Sequence, residues 1–430
     1  MFQGQAARTH NVAVIHDPPW SPGPLRWLLM DMNSFFASIA QYDNPEWRGK
    51  PVAVAPMITD STCAIAASYE AKAYGIKTGT PIWEAKQKCP HLIITTAHHQ
   101  RYVEVHEMVA AVIEEVLPIH SRGSIDEFAC MLMNNENSPE QARILAEKIK
   151  TGLRLKFDDI IKGSIGISPN RWLAKIGSNV KKPDGLTILR AEDLPGPLLN
   201  MKLDDLNGIG ENMNLRLQMA GIHSVAQLYQ MPAKQLRQIW GNVEGEKFWY
   251  RLRGYPMMER ASHDKRVIGH SRVLDPKLRA PQLARLVGRR LLCKAATRLR
   301  RYEMNSAMLS LSVRDTQRGG WGTARKITRT DDSFLLLQEL QILWQAMLLQ
   351  LRPVDIKKIS VSLTDLAAPA AAQDLWENMH MMRRAKILPS LDALNRKWGR
   401  DTVTIGFLPP DKIETKIAFA RIPDIEEFWE

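Results

Sequence analysis

The sequence predicts a multidomain protein of mixed α/β or α+β class, and three observations support this prediction. The chain has 430 residues, which is too long for one ordinary hydrophobic core and suits roughly two to four domains. Residues 27–189 alternate short apolar strands with helical segments, whereas residues 194–256 follow a helical pattern with short loops. From residue 265 onward, a basic helix is combined with strand-like alternation.

The elements of the first half follow from local patterns. Residues 27–32 are apolar and predict a strand, and residues 34–41 then turn into a helix. Residues 124–133 predict a later strand, and residues 138–157 predict a helix whose Lys and Arg side chains face outward. Ser168 followed by Pro169 is typical of a helix start. This order of elements predicts sheets covered by helices.

Composition excludes several classes of protein. Hydrophobic residues make up 45% and charged residues 24%, as in a globular chain. No run of eighteen apolar residues predicts a membrane span, and residues 1–24 lack a secretory pattern and are expected to be a disordered lead. The four cysteines are scattered without a C-x-x-C pair, which disfavours a disulfide framework or a zinc knuckle. We therefore expect a cytoplasmic protein.

The positive charge is concentrated in one segment. The net charge is +12, yet residues 265–330 hold 17 Lys or Arg against three acidic residues, so the rest of the chain is slightly acidic. Residues 281–304 predict a basic helix, and residues 307–313 and 359–363 predict strands with one apolar and one small polar face. The pattern favours nucleic acid over a membrane surface, while a solvated charged helix remains the alternative.

Six arginines of the basic segment and one glycine-containing turn are the candidate DNA contacts. In the turn, Gly208, Ile209 and Gly210 precede a helix and can present backbone N–H groups to a phosphate. Such a short glycine pattern is weak evidence when taken alone. The candidate arginines are Arg289, Arg290, Arg298, Arg300, Arg301 and Arg314.

Three carboxylates are candidates for catalysis. Asp31 ends one apolar strand, and Asp126 and Glu127 are adjacent within another. Charged residues in apolar strands are costly unless they are paired or bind a cation, and Mg²⁺ prefers carboxylate and phosphate oxygens. The pattern alone is equally compatible with an exposed strand-end turn that binds no metal.

Other residues are candidates for nucleotide binding. Tyr69 and Lys72 begin a helix, and Lys182 follows another; lysines suit triphosphate oxygens, although each alone is more often a surface lysine. The aromatic pair Phe35 and Phe36 follows Asp31, and for Phe35 core packing is the simpler interpretation.

Five motifs together resemble the Y-family translesion DNA polymerases of the DinB/UmuC type. The order and spacing of the chain agree with this family from about residue 25 to residue 363, and the combination of motifs is specific although each motif alone is not. The motifs are Asp-Met-Asn-Ser-Phe-Phe at 31–36, Ala-Ser-Tyr-Glu-Ala-Lys-Ala-Tyr-Gly-Ile-Lys at 67–77, Ser-Ile-Asp-Glu at 124–127, Ser-Pro-Asn-Arg-Trp-Leu-Ala-Lys at 168–175 and Lys-Lys-Pro-Asp-Gly at 181–185.

The resemblance implies an α+β right hand with a palm, small fingers, a helical thumb that contains a helix–hairpin–helix, and an α/β little finger. Its implied boundaries are a lead at 1–24, a palm at 25–41 and 99–189, fingers at 42–98, a thumb at 190–258, a linker at 259–265, a basic little finger at 266–366 and a partner-binding tail at 367–430.

The resemblance also implies residue roles. Asp31, Asp126 and Glu127, with the Met32 carbonyl, would hold two Mg²⁺ ions, for which Mn²⁺ could substitute. The same resemblance makes Phe36 the steric gate against ribonucleotides. Triphosphate contacts are implied for Tyr69, Lys72 and Lys182.

Three positions depart from the family pattern and leave the DinB-like or UmuC-like branch open. Asn33 replaces a second Asp, Ala66 replaces a Thr found in some relatives, and Lys72 stands where many have Arg.

The implied activity is template-directed, error-prone DNA synthesis in the SOS response and in DNA damage tolerance, by a protein that is monomeric alone. A primer 3′-hydroxyl attacks the α-phosphate of a dNTP and pyrophosphate leaves. Beyond DNA and dNTP, the implied partners are a sliding clamp, a recombinase filament or an accessory mutagenesis subunit, although no clear clamp-binding peptide is present. A catalytically impaired scaffold subunit and a non-enzymatic DNA-binding protein remain the alternatives.

Overall fold

The computed structural model describes residues 22–60, 62–257, 266–317, 319–369, 379–399 and 401–406. Residues 22–257 belong to one compact unit and residues 266–406 to a second. The predicted lead at 1–24, apart from its last three residues, lies outside the described residues. So do the predicted linker at 259–265 and much of the tail.

The strands and helices of the first unit follow the predicted alternation. Its strands are β1 (Trp27–Met32), β2 (Val52–Ala55), β3 (Ala66–Ala67), β4 (Ile93–Thr96), β5 (Ile119–Ser124), β6 (Glu127–Met131), β7 (Gly163–Ser168) and β8 (Leu186–Ile188). Its helices are α1 (Phe35–Asp43), α2 (Tyr69–Ala73), α3 (Ile82–Lys88), α4 (His99–Glu114), α5 (Pro139–Lys156), α6 (Arg171–Val180), α7 (Glu211–Met219), α8 (Val225–Gln230), α9 (Ala233–Trp240) and α10 (Glu244–Leu252).

The larger sheet of this unit has the strand order β5–β6–β1–β7–β8 and is covered on both faces. Helix α6 packs closely on one face, where a Cβ on Gly166 would meet the Ala174 carbonyl oxygen at 1.9 Å. On the other face, the His106 ring of α4 stacks on Phe128 at 4.6 Å. Because alternate strand residues face opposite sides, Leu29 and Asp31 point toward α6.

Two smaller parts complete the first unit. Strands β3, β2 and β4 form a separate small sheet that α1 contacts. Helices α7–α10 surround an apolar core that includes Leu217, Leu236 and Phe248 and that extends to Leu173 and Ile176 of α6.

Two predictions for this unit hold only in part. The strand predicted at 124–133 is present as β6, but β6 begins at Glu127, because β5 ends at Ser124 and residues 125 and 126 turn. The helix predicted at 138–157 is present as α5, but Lys150 does not face outward, because its side chain is only 6% exposed.

The second unit is a four-stranded antiparallel sheet, as far as the described residues show, with helices on one face. Its strands are β9 (Val267–Val273), β10 (Asn305–Asp315), β11 (Gly320–Thr330) and β12 (Ile356–Ala367), in the order β11–β10–β12–β9. Its helices are α11 (Pro281–Arg301), α12 (Ser333–Leu351) and α13 (Met379–Trp398). Leu309, Leu311 and Val361 lie on the apolar face and pack with α11 and α12.

Helix α12 is apolar enough in length and composition to cross a membrane, but seven of its residues are buried, and Trp344 belongs to the core of the second unit. These contacts are those of a core helix. Ile342, on the other side of the same helix, is 47% exposed.

Candidate active site

Asp31 and Glu127 face each other across the centre of the larger sheet. Asp31 is 5% exposed near the end of β1, and its direct partner in the antiparallel β1–β6 pair is Glu127. Like charges directly opposite each other on a sheet repel, so this pair requires a compensating cation.

Asp126 is brought to the same place by the turn between β5 and β6. Its carbonyl accepts a hydrogen bond from the Met32 N–H (2.8 Å), which fastens the turn to the end of β1. Its carboxylate accepts one from the Ser124 hydroxyl (2.5 Å). Burial raises the pKa of Asp126, and the charges of Asp31 and Glu127 raise it further. The three carboxylates therefore share one electrostatic environment.

Two lysines neutralise these carboxylates in the described structure. The Lys175 ammonium of α6 donates to Asp31 and to Glu127 (2.7 Å), and Lys182 donates to the other oxygen of Asp31. Burial alone would lower the pKa of Lys175, but the two carboxylate charges and their hydrogen bonds raise it. The sequence pattern assigned no role to Lys175. The feature that could have identified it is its position as a charged residue among the buried residues of α6.

The carboxylate set fits a divalent cation in its chemistry. Asp31 and Glu127 face each other, Asp126 lies in the adjoining turn, and Lys175 and Lys182 supply positive charge at the position where cations would bind. Among the described side chains, no three metal-binding groups are close enough together to hold an ion, and Lys175 lies between Asp31 and Glu127. A cation would therefore have to displace this ammonium.

Polar and cationic groups adjoin the carboxylates on one side. The Lys72 ammonium donates to the Ser34 hydroxyl (2.7 Å) and lies 4.2 Å from the Tyr69 ring centre. Burial lowers the pKa of Lys72, and the charge of Lys182 lowers it further. Burial raises the pKa of Tyr69, and the Asp31 charge adds to this. These residues, which are distant in sequence, thus lie close together.

The two phenylalanines have different environments. Phe35 is 4% exposed and belongs to the core, as its sequence pattern favoured. Phe36 is half-buried, and its ring stacks on Tyr102 with ring centres 4.2 Å apart. Its orientation is therefore held by a second aromatic ring.

The glycine-containing turn is present before α7. Gly208 has φ +100°, a conformation that favours glycine, and Trp172 fixes the turn by donating to the Asn207 carbonyl (2.8 Å). The side chain of Ile209 is 3% exposed in the core, so Ile209 can offer only backbone groups to DNA.

The arginines of α11 have partners that local charge pattern did not reveal. Arg300 pairs with Asp392 of α13 (2.6 Å), with both side chains 11% exposed, and Arg290 pairs with Asp401. These pairs engage the two guanidinium groups with partners about a hundred residues away in sequence, which makes Arg290 and Arg300 weaker candidates for DNA contact than an exposed arginine.

The other candidate arginines differ in exposure. Arg289 donates to the Ile405 carbonyl (3.4 Å), and Arg298 and Arg301 are partly buried on α11. Arg314 on β10 is exposed. It points to the sheet face opposite the helices, because its neighbour Val313 is in the core.

That open sheet face is lined by small residues. Ser310 and Ser312 of β10 pair with Ser362 and Ser360 of β12. Lys358, the partner of Arg314, adds a second cation at one end. A face of this kind allows a polyanionic backbone to approach closely.

Comparison with known proteins identifies the family. The impB/mucB/samB family model matches residues 30–179, and the C-terminal domain model of the same family matches residues 265–375, together more than half of the chain. DNA polymerase IV 1 of Bacillus subtilis (strain 168) is 28% identical over 396 residues, which cover 90% of this chain and 94% of the relative.

Two further comparisons agree. DNA polymerase IV of Moorella thermoacetica is 30% identical over 390 residues, which cover 87% of this chain and 94% of the relative. A solved Y-family DNA polymerase chimera shares the fold with a TM-score of 0.68 at 21% identity, covering 80% of this chain and 100% of that chain. The resemblance of the five motifs is thereby confirmed, and the chain belongs to the impB/mucB/samB family, the Y-family DNA-directed DNA polymerases of the DinB/UmuC type.

Proposed function

We propose that this protein is an error-prone translesion polymerase that adds dNTPs to a primer 3′-hydroxyl by two-metal phosphoryl transfer during DNA damage tolerance. The observation that carries the proposal is the facing pair Asp31 and Glu127, with Asp126 in the adjoining turn and Lys182 beside Asp31. Phosphoryl transfer relies on positioning and charge neutralisation, and this cluster offers both anionic and cationic groups.

In this proposal the three carboxylates and the Met32 carbonyl hold two Mg²⁺ ions, with Mn²⁺ as a substitute. Bound there, the ions would supply Lewis-acid chemistry that activates the attacking hydroxyl and stabilises the leaving phosphate. Lys175, which donates to both Asp31 and Glu127 in the described structure, moves aside when the site is loaded.

The protein's own residues bind and select the nucleotide. Lys182 and Lys72 offer point charges to the triphosphate, and Tyr69 offers its hydroxyl. Phe36, held against Tyr102, occupies the space that a ribose 2′-hydroxyl would need. Phe35 packs in the core, with its ring centre 6.0 Å from that of Phe36.

Primer–template DNA binds the open sheet face of the second unit and the turn before α7. Arg314 and Lys358 contact phosphates on that face, and the amides near Gly208 and Gly210 contact a phosphate elsewhere. Contacts to phosphates do not depend on the base sequence, which suits a polymerase that must copy any template.

The cellular role follows from this activity. The segment predicted as fingers, residues 42–98, is small, with a three-stranded sheet and the short helices α2 and α3, so base selection rests on pairing and tolerates damaged templates. We propose that the protein acts in the cytoplasm as a monomer that a sliding clamp, a recombinase filament or an accessory subunit recruits.

Primer extension tests this proposal. Purified protein is incubated with a labelled primer, all four dNTPs and Mg²⁺ on an undamaged template and on one with an abasic site. Extension on both templates supports a translesion polymerase. Extension that stops at the abasic site contradicts the lesion-bypass role, and no extension on either template favours the catalytically impaired scaffold.

A further inference from the structure

The loop of residues 181–185, which joins α6 to β8 and carries Lys182, is supported by residues outside the reaction centre. We propose that Lys150 is a positioning residue for nucleotide binding, which holds this loop so that Lys182 faces the triphosphate site. The inference rests on the triphosphate role proposed above for Lys182.

The backbone of this loop adopts a conformation that needs external support. Asp184 has φ +53°, which is unfavourable for a residue other than glycine. At Gly185 a Cβ would lie 1.7 Å from the Lys181 carbonyl oxygen, so only glycine fits there. Strained segments of this kind persist when surrounding contacts hold them.

Lys150 and Arg154 hold the loop from α5. The Lys150 ammonium pairs with one Asp184 carboxylate oxygen (3.1 Å) and donates to the Asp184 carbonyl. Arg154, one turn further along α5, donates to the other carboxylate oxygen (3.1 Å). Because the Lys150 side chain is only 6% exposed, burial of its ammonium is costly unless these partners are present.

Asn33 ties the same loop to the strand that carries Asp31. Its side-chain oxygen accepts from the Asp184 N–H (2.7 Å), and its amide donates to the Ser164 hydroxyl (3.0 Å). The Ser164 oxygen also accepts from the Gly185 N–H (3.2 Å). The loop is thus held between α5 on one side and the β1 end on the other, which brings Lys182 to Asp31.

Without the Lys150 charge, the Asp184 carbonyl loses this hydrogen-bond donor. The Asp184 carboxylate keeps its pair with Arg154, whose side chain is more exposed than that of Lys150. The loop then samples positions in which Lys182 is displaced. A displacement of this kind weakens binding of the nucleotide, whereas DNA affinity, which depends on other surfaces, is unaffected.

Single-nucleotide insertion by the full chain tests the inference. Lys150→Met keeps the methylene packing and removes the charge; we expect it to raise the KM for dNTP roughly tenfold, with kcat within about twofold of the unmodified protein. Lys148→Met, at an exposed position of the same helix, is the matched control and should leave both constants unchanged. If Lys150→Met folds poorly, Asp184→Asn replaces it, with the same expected rise in KM.

A double-mutant cycle with Lys182→Ala assigns the effect. In the Lys182→Ala background, Lys150→Met should raise the KM no further. If Lys150→Met lowered kcat and left KM unchanged, the effect of the substitution would be merely structural, and the inference would be wrong. An unchanged KM in Lys150→Met beside a raised KM in Lys182→Ala would overturn it while sparing the proposed function. An unchanged KM in Lys182→Ala would overturn the inference together with the proposed triphosphate role of Lys182, whereas polymerase activity itself is judged by primer extension.

Discussion

Asp31 and Glu127 lie directly opposite each other on neighbouring antiparallel strands, and the Lys175 ammonium donates to both carboxylates. Two facing carboxylates near a protein interior repel each other, and a single cation between them removes that cost. The same arrangement that stabilises the described state therefore defines a place where another cation can bind.

Replacing Lys175 by Met should make the fold depend on divalent cation. Without Mg²⁺ we expect a loss of about 2 kcal/mol in the free energy of unfolding, because the buried Asp31 and the partly exposed Glu127 lose their shared partner. Mg²⁺ should restore more stability to this variant than to the unmodified protein, as measured by thermal unfolding with Mg²⁺ or with chelator. Equal Mg²⁺ responses in both proteins would contradict the proposed cation site.

Replacing Phe36 by Ala should admit ribonucleotides. Removal of a ring that Tyr102 holds in place opens space near the nucleotide, so we expect discrimination against rNTPs to fall by roughly tenfold or more. The ratio of kcat/KM values for dCTP and CTP measures this. Phe35→Leu, at a buried core position, is the control: it should lower stability and leave the ratio unchanged. Unchanged discrimination in Phe36→Ala would remove the gate assignment.

The pH dependence of stability should reveal His106. Burial lowers the pKa of this imidazole below 6.5, and the Arg122 charge adds to the effect, although its hydrogen bond to the Ile125 carbonyl (2.7 Å) and the Glu107 charge oppose it. A lowered folded-state pKa means that the unfolded chain takes up the proton first as the pH falls. The contribution of His106 to the free energy of unfolding is therefore fully present above pH 6.5. It is lost as the pH falls below 6.5, by up to about 1.4 kcal/mol per pH unit.

Urea unfolding between pH 7.5 and pH 5.5 checks this prediction. His106→Asn retains an N–H near the Ile125 carbonyl but does not titrate, so its stability should change less over this range. Parallel pH profiles for the two proteins would exclude His106 as the source.

Two arginines of the second unit should differ in their effect on DNA binding. Arg314→Ala removes an exposed cation on the open sheet face, so affinity should fall and the salt slope, log K against log [NaCl], should decrease in magnitude by about 1. Arg300→Ala breaks the buried pair with Asp392 and should lower stability without changing the slope. Fluorescence anisotropy over a salt series measures both. If Arg300→Ala reduced the salt slope and Arg314→Ala did not, α11 would be part of the DNA interface and the open sheet face would not.

Much of the fold could be predicted because local patterns and global structure agree. The apolar periodicity of residues 281–304 matches α11, and the alternation at 307–313 lies within β10. Strand β11 was missed because nearly all of its residues are exposed, so its two faces show no apolar alternation. The turn at 125 and 126 was missed because it contains neither glycine nor proline.

The candidate site could be predicted only in part. The carboxylates stand out because charges in apolar strands need partners, but those partners are distant in sequence: Lys175 is 144 residues from Asp31. Lys150 resembled an ordinary outward lysine of an amphipathic helix, and its burial depends on the loop at 181–185. Arg300 lacked a local acidic partner and found one 92 residues away. Long-range pairs of this kind leave little trace in local sequence.

The most direct test of the account is primer extension by an Asp126→Asn/Glu127→Gln variant beside the unmodified protein, with DNA affinity measured for both. These substitutions keep side-chain size and hydrogen-bonding capacity while removing two proposed metal-binding charges. We predict that the unmodified protein extends the primer, whereas the variant binds DNA equally well and extends it at least about a thousandfold more slowly. Extension by the variant at the unmodified rate would contradict the assignment of this carboxylate cluster as the catalytic centre.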